Sequence, residues 1–379
     1  MKLNKIEFKD FITLQRGFDL PLARMKEGDI PVLGSNCVIG YHNEAKVQPP
    51  GVVTGRSGTL GIVQYIDVPY WPHNTALWVR DFKGNHPKFV YYKLRILNLG
   101  SFSSGASVPT LNRNNLDNIQ VSIPSNEIQS RIASILSTYD DLIENNLRRI
   151  KLLEESARQL YKEWFVRLRF PGYEHTNIVN GVPEGWEKKF VPEIIDINPP
   201  TPILRDLLEI NYVPMSSLSV DQMTISFAHF ERRTKATGVK FKNGDILFPR
   251  ITPCLENGKT AFVNFLLDGE IACGSTEFIV LRNKFLYPEF VYCLSRTYDF
   301  RENAIKSMIG SSGRLRVQTS CFEDYTIQLP PKLILRQFQE IVVPVFKQIE
   351  VLQFQIQKLR QARDLLLPKL MSGEVEIND

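Results

Sequence analysis

Two stretches of this chain carry one heptad pattern in one register. From Ile132, alternate steps of four and three reach Leu136, Tyr139, Ile143, Asn146, Ile150, Leu153, Ala157, Leu160 and Trp164. Adding 206 to each of these ten positions reaches Phe338, Val342, Val345, Ile349, Leu352, Ile356, Leu359, Arg363, Leu366 and Leu370. Only Asn146 and Arg363 break the apolar or aromatic rule, and an apolar residue every 3.5 positions is the seam of a coiled coil. A helix over about Arg131–Leu168 would be roughly 57 Å long at ~1.5 Å per residue, far more than an ordinary domain uses. Pro124 and Pro330, just before the two runs, keep the same separation, as do Leu116 and Ile119 against Phe322 and Tyr325. The chain is therefore an internal duplication. The first helix leaves one globular segment for the next, and the second helix leads away from that next segment. Seams that pair must then run antiparallel, with Ile143, Ile150 and Leu153 expected against Ile349, Leu352, Ile356 and Leu359. Asn146 is expected to fix their register. Pro344, which lacks an amide proton, is expected to start or kink the second helix.

Between the helices lie β-type runs and turn signals. "GVVTGRSGTLGIVQYI" (Gly51–Ile66) reads as strand, turn, strand, with a counterpart in "GDILFPRITPCLENGKTAFVNF" (Gly244–Phe265). "HPKFVYYKL" matches "YPEFVYCLS", and "SFSSGASVPTL" matches "IGSSGRLRVQT". The expected fold is α+β: two mixed α/β domains joined by a pair of long antiparallel helices, with pseudo-twofold internal duplication. The expected segments are a first domain at 1–125, a central helix at 126–170, a second domain with its linker at 171–331, and a C-terminal helix at 332–379. At 379 residues the chain can bury more than one core. No apolar run approaches the ~20 residues of a bilayer span. "MKLNKIEFKD" is charged where a signal peptide needs an apolar centre, so a cytoplasmic location is expected.

Enzyme-like strings are weak. "ENGKTAF" contains Gly258-Lys259-Thr260, but Pro253 stands where a phosphate-binding loop needs its first glycine. "DINPPTP" (Asp196–Pro202) has Thr201 where an amino-methyltransferase would stack an aromatic on a flipped base, and no glycine-rich cofactor turn accompanies it. No motif gathers a Ser/His/Asp set. The five cysteines form no CxxC pair, so they are read as reduced thiols and no metal site is expected.

What remains are basic and small polar residues on predicted turns: Arg16, Arg56, Ser57, Ser103, Ser104 with Gly105, Arg250, Lys259, Ser311, Ser312, Arg314 and Arg316. Arginine forks can read guanine edges, and hydroxyls or glycine-rich backbone can approach phosphates. A formal charge of +5 permits such a partner without requiring it. The stretch "ERRTKATGVKFK" (Glu231–Lys242) adds a basic stripe. Singly each is better explained by solvated surface than by base contact; recurrence at equivalent places in both halves strengthens the case for DNA contact.

This layout resembles the DNA-specificity subunit of Type I restriction–modification systems, the HsdS family. The likeness covers nearly the whole chain and rests on the order domain, helix, domain, helix. It also rests on "VPEGWE" (Val182–Glu187), "ITPCLENGKTA" (Ile251–Ala261), the junction glutamines Gln129 and Gln337, and "LLLPKLMSGEV" (Leu365–Val375). The resemblance implies two target-recognition domains, each reading one half of a bipartite double-stranded DNA target, with the helix pair as spacer. It further implies two docked methyltransferase subunits that bind S-adenosylmethionine themselves, a restriction subunit that joins some assemblies, and no catalytic residue or cofactor in this chain. Two rivals stand beside it: a stand-alone DNA methyltransferase or endonuclease, and a helical scaffold that binds protein alone.

Overall fold

The computed structural model describes residues 1–104, 109–200, 209–311 and 313–377. The chain divides into two compact units, Met1–Leu142 with the segment from Leu359 onward, and Ile143–Lys358. Both division points fall inside the long helices, Asn126–Tyr161 and Lys332–Ser372.

Each unit builds the same four-stranded antiparallel sheet. In the first unit the order is Thr13–Arg16, Ala76–Asp81, Gly51–Gly55, Val63–Ile66. In the second it is Ile195–Ile197, Phe278–Asn283, Ile246–Pro249, Ala261–Phe262. The strands Gly51–Gly55 and Ile246–Pro249 are buried at every position, which explains why they read as apolar runs without alternation. After the second strand of each order comes a helix with proline at its start, Pro87–Ile96 or Pro288–Ser295, where the missing amide is harmless. A second sheet in each unit, three-stranded in the first and four-stranded in the second, contains one parallel pair, Val32 opposite Trp71 and Tyr212 opposite Cys273. A two-stranded ladder ties the start of each repeat to its end, Asn4 opposite Ile123 and Glu187 opposite Leu329. The duplication is thus structural as well as sequential.

The long helices pair antiparallel in each unit. In the second unit the Asn146 amide donates to Gln355 Oε1 at 3.3 Å, and Trp164 packs on Phe338 with centroids 6.0 Å apart. In the first unit Arg363 bonds Asp140 at 2.5 Å. As residue numbers rise on one helix they fall on the other. Ile150, Ile349 and Leu352 are fully buried, Ile143 and Ile356 nearly so, and Leu153 and Leu359 half-buried. Each buried aliphatic side chain is worth roughly 1.5–3 kcal/mol.

Two expectations need correction. The first helix begins at Asn126, as the expected segment does, but its α-helical part ends at Tyr161, short of the expected Leu168. It then continues as one π-helical turn, Lys162–Val166, closed by the Arg167 amide on the Lys162 carbonyl at 2.8 Å. The wider turn lets the neighbours Trp164 and Phe165 both face inward, where they meet Phe338. Pro344 does not start the second helix, which runs from Lys332 to Ser372. Its ring lies on the exposed face, so the carbonyl it leaves without an amide partner is not sealed in a core.

Two carboxylates, Asp140 half-buried and Glu154 buried, fasten these helices to the rest of their own units. The Tyr92 hydroxyl donates to Asp140 at 2.6 Å. In the second unit the Tyr292 hydroxyl and the Met223 amide donate to Glu154 at 2.5 and 2.6 Å. Burial pushes the Glu154 carboxyl above its ordinary value. Gln129, fully buried at the start of the first helix, accepts from the His86 amide and donates to Asn85 and Pro124.

Candidate nucleic-acid interface

The strand ends that carry Arg56 and Arg250 are held in the same hydrogen-bond frame. The Arg56 amide donates to the Thr75 carbonyl at 2.8 Å, and its carbonyl accepts from the Leu111 amide at 2.8 Å. The Arg250 amide donates to the Glu277 carbonyl at 2.9 Å, and its carbonyl accepts from the Val317 amide at 2.8 Å. The next residue in each case bridges the returning segment: Ser57 with Thr110, Ile251 with Arg316. Both guanidiniums are half-buried and bond a nearby carbonyl, Asn74 at 3.3 Å for Arg56 and Val317 at 3.0 Å for Arg250. One donor of each planar fork is thereby fixed, which orients the others.

In the first unit Arg56 opens onto a cavity of about 700 Å³. Arg16, Arg80 and Arg113 line it too, with Asn112, Phe18 and a single acid, Asp19. Arg16 lies 4.0 Å from Asp19, Arg80 reaches Gln15 at 3.5 Å, and Arg113 donates to the Leu14 carbonyl at 3.1 Å. Four guanidiniums against one carboxylate make this hollow strongly cationic, a setting for phosphate oxygens or guanine edges. Arg80 and Arg113 are absent from the sequence-derived candidates. The duplication holds a signal for Arg80, because "ALWVRD" and "FIVLRN" put an arginine at the same strand position. Nothing in the turn "LNRNN" distinguishes Arg113.

The second unit uses its arginines differently. Arg282, the partner of Arg80 in the repeat, forms a two-bond fork on Asp245 at 2.7 Å, with Asp245 almost wholly buried. Arg316 forks onto Glu277 at 2.7–3.1 Å on the surface. Arg314 and Ser311 are exposed on the adjoining turn, closed by the Arg314 amide on the Ser311 carbonyl at 2.9 Å. Lys259 turns inward, its ammonium on the Met215 carbonyl at 3.0 Å. Its loop is held from within by Arg296 on the Gly258 carbonyl and Arg301 on the Leu255 carbonyl. Ser103 is exposed and pairs through its backbone with Leu111, as Ser104 does with Thr110. Gly105, Thr201 and Ser312 lie outside the described residues. In the basic stripe Arg233 stacks on Tyr212, 3.2 Å from the ring centre, and bonds Glu231. Among the described residues no three His, Cys, Asp or Glu side chains gather as a metal site, and no helix is long and apolar enough to cross a membrane.

Known proteins share this architecture. The chain is 27% identical over 403 aligned positions to the Type I restriction enzyme MjaIX specificity subunit of Methanocaldococcus jannaschii, covering 96% of this chain and 91% of that protein. It is 34% identical over 157 positions to the EcoEI specificity subunit of Escherichia coli, covering 40% of this chain and 26% of that protein. The fold matches the crystal structure of a Type I restriction–modification S subunit from M. genitalium with a TM-score of 0.58 at 16% identity, covering 100% of this chain and 97% of that one. The family model described as "Type I restriction modification DNA specificity domain" matches twice, over residues 2–155 and 183–361, once per repeat. This chain belongs to that family.

Proposed function

We propose that this protein is the sequence-specific DNA-recognition subunit of a Type I restriction–modification complex, each unit reading one half of a bipartite target. The observation that carries this reading is the repeated frame around Arg56 and Arg250. Two separated half-sites need two similar readers, and the duplication supplies the same strand end, turn and fixed guanidinium twice. The paired helices set the spacing and offer docking faces to two methyltransferase subunits. Those subunits bind S-adenosylmethionine and transfer the methyl group, and in some assemblies of this kind a restriction subunit joins them. This chain itself contributes binding and no chemistry, in the cytoplasm where the DNA lies.

Exchange of Met1–Ser122 for the equivalent segment of another family member tests the reading. Sequencing the methylated adenines in a host that carries the assembled complex should show one half of the target changed and the other retained. A change in both halves together would contradict one reader per half. At finer scale, Arg56→Ala and Arg250→Ala should each lose ~1–3 kcal/mol of binding and relax one position in their own half. Affinity measured across singly altered duplexes reads this directly. Unchanged affinity for every duplex would remove both residues from the interface.

A further inference from the structure

We infer that Glu277 and Arg316 act together as base readers of the second unit and select a G·C pair in its half of the target. The inference rests on the DNA-recognition reading above and names its chemistry. Backbone frame and side chains divide cleanly here. The carbonyls of Thr75 and Glu277 accept from the two turn arginines, and Thr110 and Arg316 occupy the same bridge in the two returning segments. The scaffold is therefore constant while the side chains at these two places differ. A pair of threonines in one unit is replaced by a carboxylate and a guanidinium in the other. Such divergence on a fixed frame is what two readers of different sequences require.

The geometry suits base edges. Arg316 is exposed, with 45% of its side chain accessible, and Glu277 keeps 23%. Each group now satisfies the other through a planar fork. An ion pair so exposed contributes little to the fold, so it can be redirected to a ligand. In the major groove guanine presents O6 and N7 to an arginine fork, and cytosine presents its N4 amino group to a carboxylate. A lone carboxylate would be repelled by the phosphates, and Arg316 beside it cancels that charge. The Arg250 backbone bonded to Glu277 and Val317 sets both side chains on one rigid strand end.

The test uses the full-length chain in complex with its methyltransferase subunits, selected against duplexes randomised across the target and sequenced. Arg316→Gln should reduce discrimination at one guanine of the second half by about 5–150-fold and leave the first half intact. Glu277→Gln should weaken discrimination at the same G·C pair, because a neutral carboxamide is a poorer acceptor for the cytosine N4 amino group while Arg316 still holds the guanine. Both variants should melt close to the parent chain. Uniform weakening on all sequences with a shallower salt dependence would make Arg316 a phosphate contact and overturn the inference. A lower melting temperature with unchanged base preference would make the pair a structural clasp, and would overturn it equally. A parent complex that selects no bipartite motif would instead sink the proposed function.

Discussion

Ile150→Asp should destabilise the second unit by about 4–5 kcal/mol, the sum of a lost core side chain and a carboxylate forced into the seam. Ile150 is fully buried in the middle of the first long helix, and the contacts of Asn146 with Gln355 and Trp164 with Phe338 flank it. On the opposite helix Ile349 and Leu352 are buried just as completely, so a new charge at Ile150 would face an apolar seam. Ile150→Val, which removes one methyl group, should cost only ~0.5–1.5 kcal/mol. Leu152→Asp, two residues away but 70% exposed, should stay within about 0.5 kcal/mol of the parent. Calorimetric melting of the three variants separates a seam from an ordinary surface helix. An Ile150→Asp chain that melts like the parent and still assembles with its partners would refute the paired-helix account.

Asp245→Ala should be nearly as damaging, at about 3–5 kcal/mol, because it strands the Arg282 guanidinium in the middle of a sheet. Asp245 is 1% exposed and Arg282 15%, and the two share a fork with both bonds at 2.7 Å. Asp245 also accepts from the Lys242 amide at 2.8 Å, so its loss opens the turn before the strand Ile246–Pro249. The double change Asp245→Ala with Arg282→Leu removes both charges and should recover much of the stability, since an apolar replacement of a buried pair is often neutral. A single variant as stable as the parent would mean that water already reaches this pair. Arg80, at the same strand position in the first unit, is exposed and faces the cationic cavity. Arg80→Ala should accordingly leave melting unchanged.

The helices are legible in the sequence because a heptad seam is a local, periodic signal that 3.6 residues per turn convert directly into a buried face. Even the polar exceptions are readable: Asn146 finds Gln355 and Arg363 finds Asp140, as seam residues that must be satisfied inside. Pro344 is harder to read, since the harm done by a helical proline depends on which face it occupies. The candidate interface is less legible because its geometry is made by distant partners. Lys259 is spent on Met215, 44 residues away, and Arg316 on Glu277, 39 away. Arg113 enters the cavity only because its turn folds back on Leu14, 99 residues earlier. Spacing within one motif cannot reveal such pairings, whereas alignment of the two repeats does point to Arg80.

The two units also finish folding in an order that their sequence order hides. The first unit's core contains Phe8, Phe89, Ile132 and Leu136, but also Leu367, Leu370 and Met371. Its Asp140 waits for Arg363, 223 residues later in the chain. At a synthesis rate of ~5–20 residues per second, that gap keeps the apolar faces of Ile132 and Leu136 open for roughly 10–45 s on the ribosome. The second unit draws on residues that are all made before Leu359. The half of the protein that emerges first is therefore the last to close its core. During that interval it is the part exposed to chaperones, proteases and other unfinished chains.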